Sequence, residues 1–205
     1  IVVPDSVKEI HSEAFQCGSL KKIEIGANTL ATDSIFYFTS SIEEISAPAS
    51  IVNDAIYFCA DSIVKVTING GTEIEQETFK DCTRLASITI ADTITTIGAN
   101  AFSGCISLQS IIIPSSVKTI GEQAFYNCSA LSSVTLNEGL TTIGQNAFTN
   151  CEALTSILIP ASVTTIEAYA FNYCDNLTIS CKATSQPANW NANWNYNDCT
   201  VKWGQ

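Results

Sequence analysis

The stretch LQSIIIPSSVKTIGEQAFYNCSA, residues 108–130, recurs along the chain with a period of 23 residues. Its Cys128 has counterparts at Cys82, Cys105, Cys151 and Cys174, and the strongest copies start at Leu85, Leu108, Leu131 and Leu154. Phe102, Phe125, Phe148 and Phe171 fill one aromatic slot in these copies. A period in this range denotes an array of stacked supersecondary units, and it decides the architecture before any local signal does. Within the unit, Ile111 and Ile113 stand two apart, which is strand spacing, while Ser110 and Ile112 point to the other side. SVKTIG supplies a second short extended piece. Phe125, Cys128 and Leu131, three apart, predict a short helical or 3₁₀ turn facing inward.

Working back toward the N-terminus, the aromatic slot falls on Phe79, Tyr57, Phe36 and Phe15. Residues 34–42 and 55–63 align position for position, placing Thr39 and Ala60 in the cysteine slot with Cys59 one place off; Cys17 sits in a copy shortened by one residue. One unit cannot bury its apolar side alone. Stacked units can, because each Leu, Ile and Phe lies on its counterpart in the next coil. The expected fold is a repeat solenoid of about eight coils over residues 1–180, each coil made of a strand, a short extended piece and a short helical or 3₁₀ turn of a ~23-residue unit. At about 4.8 Å per coil its core is on the order of 40 Å long. The opening IVVPDSVKEI aligns with IIIPSSVKTI at 111–120, so the chain is expected to start inside a repeat of a longer protein. Residues 181–205, rich in Asn and Trp, break the period and are expected to cap the open end, with Trp190, Trp194 and Trp203 covering the last coil.

The Leu, Ile, Pro, Ser-Val, Ile-Gly, Ala-Phe and Cys positions of 108–128 resemble the BspA-type leucine-rich repeat. That resemblance implies a curved, right-handed leucine-rich-repeat superhelix of the kind found in secreted or surface proteins of bacteria and some protists. Family members with a known role are mostly adhesins or protein-binding surfaces, and the strand sheet lines their concave face. An extracellular or cell-surface location follows from the same resemblance, with any export signal lying outside these residues.

Composition narrows the partners. Twenty acidic residues against nine basic ones give a net charge of −11, and the bases never cluster beyond Lys21-Lys22. Nucleic acid and anionic membrane surfaces both need such clusters, so neither is an expected partner. No apolar run approaches the roughly 20 residues that cross a bilayer. Fourteen of the acids lie within residues 1–92, leaving the N-terminal half the more acidic.

The cysteines are the first candidates for chemistry. Neighbouring rungs of the ladder lie within disulfide reach, but equivalent residues in stacked coils hold their Cβ vectors parallel, which opposes the near-perpendicular torsion a disulfide needs. Zinc needs four ligands converging on a point, and a ladder presents its sulfurs in a line. Cys82, Cys105, Cys128, Cys151 and Cys174 are therefore expected to be buried, unpaired packing residues. Cys181 and Cys199 leave the period and flank an irregular segment, and a disulfide closing that loop is expected in an oxidising compartment. His11 is the single histidine, in a turn slot held elsewhere by Gly98, Gly121 and Gly144, and makes a poor general base. Glu73, Glu75 and Glu77 alternate along one face, and a solvated edge is favoured there over a calcium site. Asn-x-Ser/Thr sequons occur at Asn127 and Asn176. No cofactor is implied.

What remains is a surface. The outward strand positions are Lys22 and Glu24, Glu44 and Ser46, Lys65 and Thr67, Ser87 and Thr89, Ser110 and Ile112, Ser133 and Thr135, and Ser156 and Leu158. They run from charged to Ser/Thr-rich, with Ile112 and Leu158 exposed at the far end. The expected function is non-catalytic: a protein-binding or adhesion module whose ligand, such as a host or extracellular matrix protein, sits on this face, with Lys65 to Leu158 as its candidate residues. Two alternatives stand beside it, a structural spacer within a larger surface protein and a glycan-binding surface built from the C-terminal aromatics.

Overall fold

The structure, a computed structural model, describes residues 1–32 and 34–205. In chain order the elements are β1 (Val2–Val3), β2 (Glu9–Ile10), β3 (Lys22–Ile25), β4 (Leu30–Ala31), β5 (Glu44–Pro48), α1 (Ala49–Cys59), β6 (Lys65–Gly70), β7 (Glu73–Ile74), β8 (Ser87–Ile90) and β9 (Thr96–Ile97). They continue with β10 (Ser110–Ile113), β11 (Thr119–Ile120), β12 (Ser133–Leu136), β13 (Thr142–Ile143), β14 (Ser156–Ile159), β15 (Thr165–Ile166), β16 (Thr178–Cys181) and β17 (Thr200–Trp203). The result is a parallel-strand solenoid of about nine turns bounded by the ten strands of one face, β1, β3, β5, β6, β8, β10, β12, β14, β16 and β17.

Each coil has three sides. The first is the long-strand side, whose register is that of the repeat: Ser110 pairs with Ser133, Ile111 with Val134, Ile112 with Thr135 and Ile113 with Leu136. Pro114 and Pro160 follow β10 and β14 directly, and having no N–H they stop the strand there. The second side stacks the two-residue strands β7, β9, β11, β13 and β15 in parallel. Gly121 and Gly144 turn the chain out of this side. A Cβ on Gly121 would come within 2.7 Å of the Ala99 nitrogen, and one on Gly144 within 2.6 Å of the Gly121 carbonyl carbon, so bare backbone is what lets the corners approach.

The third side carries the Phe and Cys ladders. Residues two before and two after the phenylalanine have left-handed backbone, φ 54° at Gln123 and 58° at Asn127, and the equivalent positions hold Asn100 and Gly104, then Asn146 and Asn150. Asn and Gly tolerate that conformation best. The alternation turns successive N–H groups toward the next coil: those of Gln123, Phe125 and Asn127 donate to the carbonyls of Gln145, Ala147 and Thr149 at 2.8, 2.8 and 3.0 Å. This side is thus bonded coil to coil without being a β-sheet. Inside it, the rings of Phe79, Phe102, Phe125, Phe148 and Phe171 stack nearly parallel at 5.0 to 5.5 Å between centroids.

The expected helical or 3₁₀ turn of the repeat is in most coils a run of i→i+3 turn bonds, and the one α-helix among the described residues, α1, stands in a degenerate coil. Two expectations are corrected. Because α1 advances about 100° per residue, Ile56 enters the core where Tyr57 was expected, Tyr57 turns out to solvent at 85 % exposure, and Cys59 is buried. Beyond the roughly eight coils expected over residues 1–180, residues 181–205 contribute β17, which pairs in parallel with β16 and brings the turns to about nine. The Cys181–Cys199 disulfide does not form: Cys181 pairs with Trp203 and Thr178 with Thr200, so Cys181 and Cys199 lie four register positions apart along neighbouring strands, and both are free thiols. At about 3.3 Å per residue that offset far exceeds the reach of a disulfide.

Candidate functional site: the long-strand face

Along β10, β12 and β14 the burial alternates strictly, with Ser110, Ile112, Ser133, Thr135, Ser156 and Leu158 exposed and the residues between them in the core. In β8 Ser87 and Thr89 face out while Ile88 is half-buried, and in β6 Lys65 is exposed and Thr67 half-buried. The pleat brings all ten candidate residues to one face, in columns that step by one strand spacing per coil.

Three regions differ in character. At the N-terminal end Lys22 sits 3.2 Å from the Glu24 carboxylate and 3.4 Å from Glu44, and a depression of about 250 Å³ is lined by these three with Ser46, Lys65 and Thr67. The hydrogen bond to Glu24, then that to Glu44, holds the Lys22 ammonium above its ordinary pKa. Lys65 has no ion-pair partner among the described residues. In the middle, β8 and β10 are neighbours without ladder hydrogen bonds, and a depression of about 320 Å³ opens there against Ile88, Thr89, Ser110 and Ile112. The ladder breaks again between β12 and β14, where Ser133, Ser156, Leu158 and Ser180 line a depression of about 290 Å³. Ile112, 65 % exposed, and Leu158, 42 % exposed, stand one at each break. Polar columns with shallow apolar notches offer complementary contacts to a macromolecule and little enclosure for a small substrate.

The face extends further than the ten residues. Through β16 and β17 it continues with Thr178, Ser180, Thr200 and Lys202. The alternation in TVKW at 200–203 signals this strand, but the loss of the 23-residue period hides it.

The other candidates lie elsewhere. Cys82, Cys105, Cys128, Cys151 and Cys174 are buried and free. The thiols of Cys105, Cys128, Cys151 and Cys174 each donate to the phenylalanine carbonyl of the preceding coil at 3.1 to 3.3 Å. Burial pushes the Cys82, Cys128 and Cys174 thiols up to about 12. His11 is exposed at the N-terminal end. Glu73, Glu75 and Glu77 are exposed, and Glu77 pairs with Lys80 at 2.8 Å. The aromatic glycan platform is not available from Trp190 and Trp194: both are 96 % buried, Trp194 packs edge-on against Phe171 at 6.1 Å, and the Trp190 indole donates to the Val163 carbonyl. No helix among the described residues is long and apolar enough to cross a membrane.

Comparison with known proteins agrees with this geometry. The model of the BspA type leucine rich repeat region matches residues 1–59 and 50–178 in six copies. No curated protein matches the sequence. Among solved structures, the chain is similar to the T. pallidum leucine rich repeat protein TpLRR, with 25 % identity and a TM-score of 0.56 over 70 % of this chain and 60 % of that one. It is also similar to a leucine-rich repeat protein from Bacteroides ovatus, with 24 % identity and a TM-score of 0.61 over 92 % of this chain and 49 % of that one. The chain thus spans about half to three-fifths of the length of these solved relatives. On the residues matched, the chain belongs to the BspA-type leucine-rich-repeat family.

Proposed function

We propose that this chain is a non-catalytic recognition module of a secreted or cell-surface protein, and that it binds a protein ligand on its long-strand face. The observation that carries this reading is the exposure of Ile112 and Leu158 at the two ladder breaks, among columns of Ser and Thr. A large apolar side chain held in water within an otherwise polar, ordered surface supplies an anchor that a partner can desolvate. The charged end around Lys22, Glu44 and Lys65 then gives orientation more than affinity. Family membership supports a surface-associated, adhesive role.

The test is a binding screen of the chain against extracellular matrix and host surface proteins, repeated with Ile112→Ser and Leu158→Ser. Burying one such side chain is worth about 1.5–3 kcal/mol, so each variant is expected to weaken a captured ligand by about tenfold or more. A ligand indifferent to both substitutions defeats the assignment to this face. Capture by a longer form of the protein but not by these residues favours the spacer reading.

A further inference from the structure

A second exposed apolar surface lies away from the long-strand face, where α1 replaces the bonded turn of its coil. Tyr37, Phe38 and Tyr57 are exposed and Phe58 is half-buried. Their rings form one contiguous cluster, with centroids 4.2 Å apart for Tyr37 and Phe38, 5.9 Å for Tyr37 and Phe58, and 5.0 Å for Tyr57 and Phe58. Of the four, Phe58 packs partly against the core, while the aromatic slot of the preceding coil is already filled by Phe36 and α1 buries Ile56 and Cys59. Phe38 holds φ 61° in the slot where other coils carry Gly104, Asn127 and Asn150, and its ring is 66 % exposed. A bulky residue in left-handed backbone is strained, and here the strain places an apolar ring in water.

The surroundings are acidic. A groove of about 340 Å³ between α1 and the next coil is lined by Tyr57, Glu75, Glu77 and Lys80. Lys80 is engaged by Glu77 at 2.8 Å, while Glu75 has no ion-pair partner among the described residues. Ring faces attract cations, most strongly the guanidinium group, and carboxylates beside them add to that attraction. In a chain of net charge −11, an exposed aromatic cluster whose Tyr57 borders the unpaired Glu75 carboxylate complements a cation.

We propose that Tyr37, Phe38, Tyr57 and Phe58, with Glu75 and Glu77, form a second docking surface for an arginine- or lysine-bearing segment of a protein partner. It is separate from the long-strand face. Binding of labelled nonapeptides alternating Arg with Gly, Lys with Gly, and uncharged citrulline with Gly tests it by fluorescence anisotropy. The Arg peptide is expected to bind about tenfold more tightly than the citrulline peptide. Tyr57→Ser, at a solvent-exposed position, and Phe38→Asn, which installs the residue other coils use there, should each weaken it by about fivefold. Glu75→Gln should weaken it by about threefold, and Leu158→Ser should leave it unchanged, with circular dichroism melts confirming that the variants fold. Equal binding of the citrulline peptide, or affinities unmoved by Tyr57→Ser and Phe38→Asn, overturns the proposal. So does a concentration-dependent dimer, or retention on a glycan array, that disappears in Phe38→Asn, since the patch then serves a second copy or a carbohydrate.

Discussion

The repeating cysteine is kept by the coil for its size and its weak donor. Cys128 is fully buried, and its thiol donates at 3.1 Å to the Phe102 carbonyl, which also accepts the Cys105 N–H. A residue there has to be small enough for the stack and able to approach a carbonyl that already has one partner. Alanine meets the first need only, so Cys128→Ala is expected to cost about 1–2 kcal/mol at neutral pH, read from urea denaturation. Reactivity follows burial as well. Cys17 is exposed, and hydrogen bonding from Ser19, first through its backbone N–H, lowers its pKa, whereas burial raises that of every ladder thiol. Iodoacetamide at pH 8 should therefore alkylate Cys17 rapidly in the native protein and leave the five ladder thiols unmodified until urea is added, with peptide mass spectrometry counting the sites.

At the scale of the element, α1 is the irregularity that sets this chain apart from a uniform stack. Pro48, with φ −58°, leads the chain from β5 straight into the helix. Ile51, Val52, Ala55, Ile56 and Cys59 then fall on its buried side. Ile56→Ala is expected to destabilise by about 2–4 kcal/mol, and Tyr57→Ala to stay within about 0.5 kcal/mol, measured by urea denaturation. A slot assignment carried over from the regular repeats predicts the reverse. The regular coils were legible because strand alternation and the Phe–Cys spacing recur with unchanged length, so one alignment placed Ser110 to Leu158 on the outer face together. In the degenerate coils the same alignment carried Tyr57 into the aromatic slot, although the apolar spacing of 51, 52, 55, 56 and 59 is that of a helix stripe. The Cys181–Cys199 disulfide failed for a related reason. Sequence proximity across a loop says nothing of register, and β17 enters the sheet with Thr200 beside Thr178. The aromatic cluster of Tyr37, Phe38, Tyr57 and Phe58 was hidden in the sequence because it forms only once α1 rotates its residues outward.

Over the whole molecule, coils touch mainly their neighbours, with Asn69–Ile25 and Lys182–Glu138 reaching one coil further, so stability is close to a sum of coil and interface contributions and one repeated feature acts many times over. The ladder thiols show this best. Their ordinary pKa of 9.0 is raised by burial to about 12 at Cys82, Cys128 and Cys174 and well above 9.0 at Cys105 and Cys151. Between those limits the unfolded chain has lost thiol protons that the folded chain retains, so the unfolded state binds fewer protons and stability falls as pH rises. The contribution is intact below pH 9 and disappears progressively toward pH 12. At pH 10.5 a single thiol shifted this far disfavours the folded state by about 2 kcal/mol relative to pH 8. Urea midpoints of the native sequence should therefore hold steady up to about pH 9 and drop steeply above it. Cys128→Ala supplies the control, since it removes one titrating rung: its deficit at pH 7.5 should shrink and vanish near pH 10.5. Parallel pH curves for the two proteins would show that alkaline loss comes from surface charge alone, with the stacked thiols playing no part.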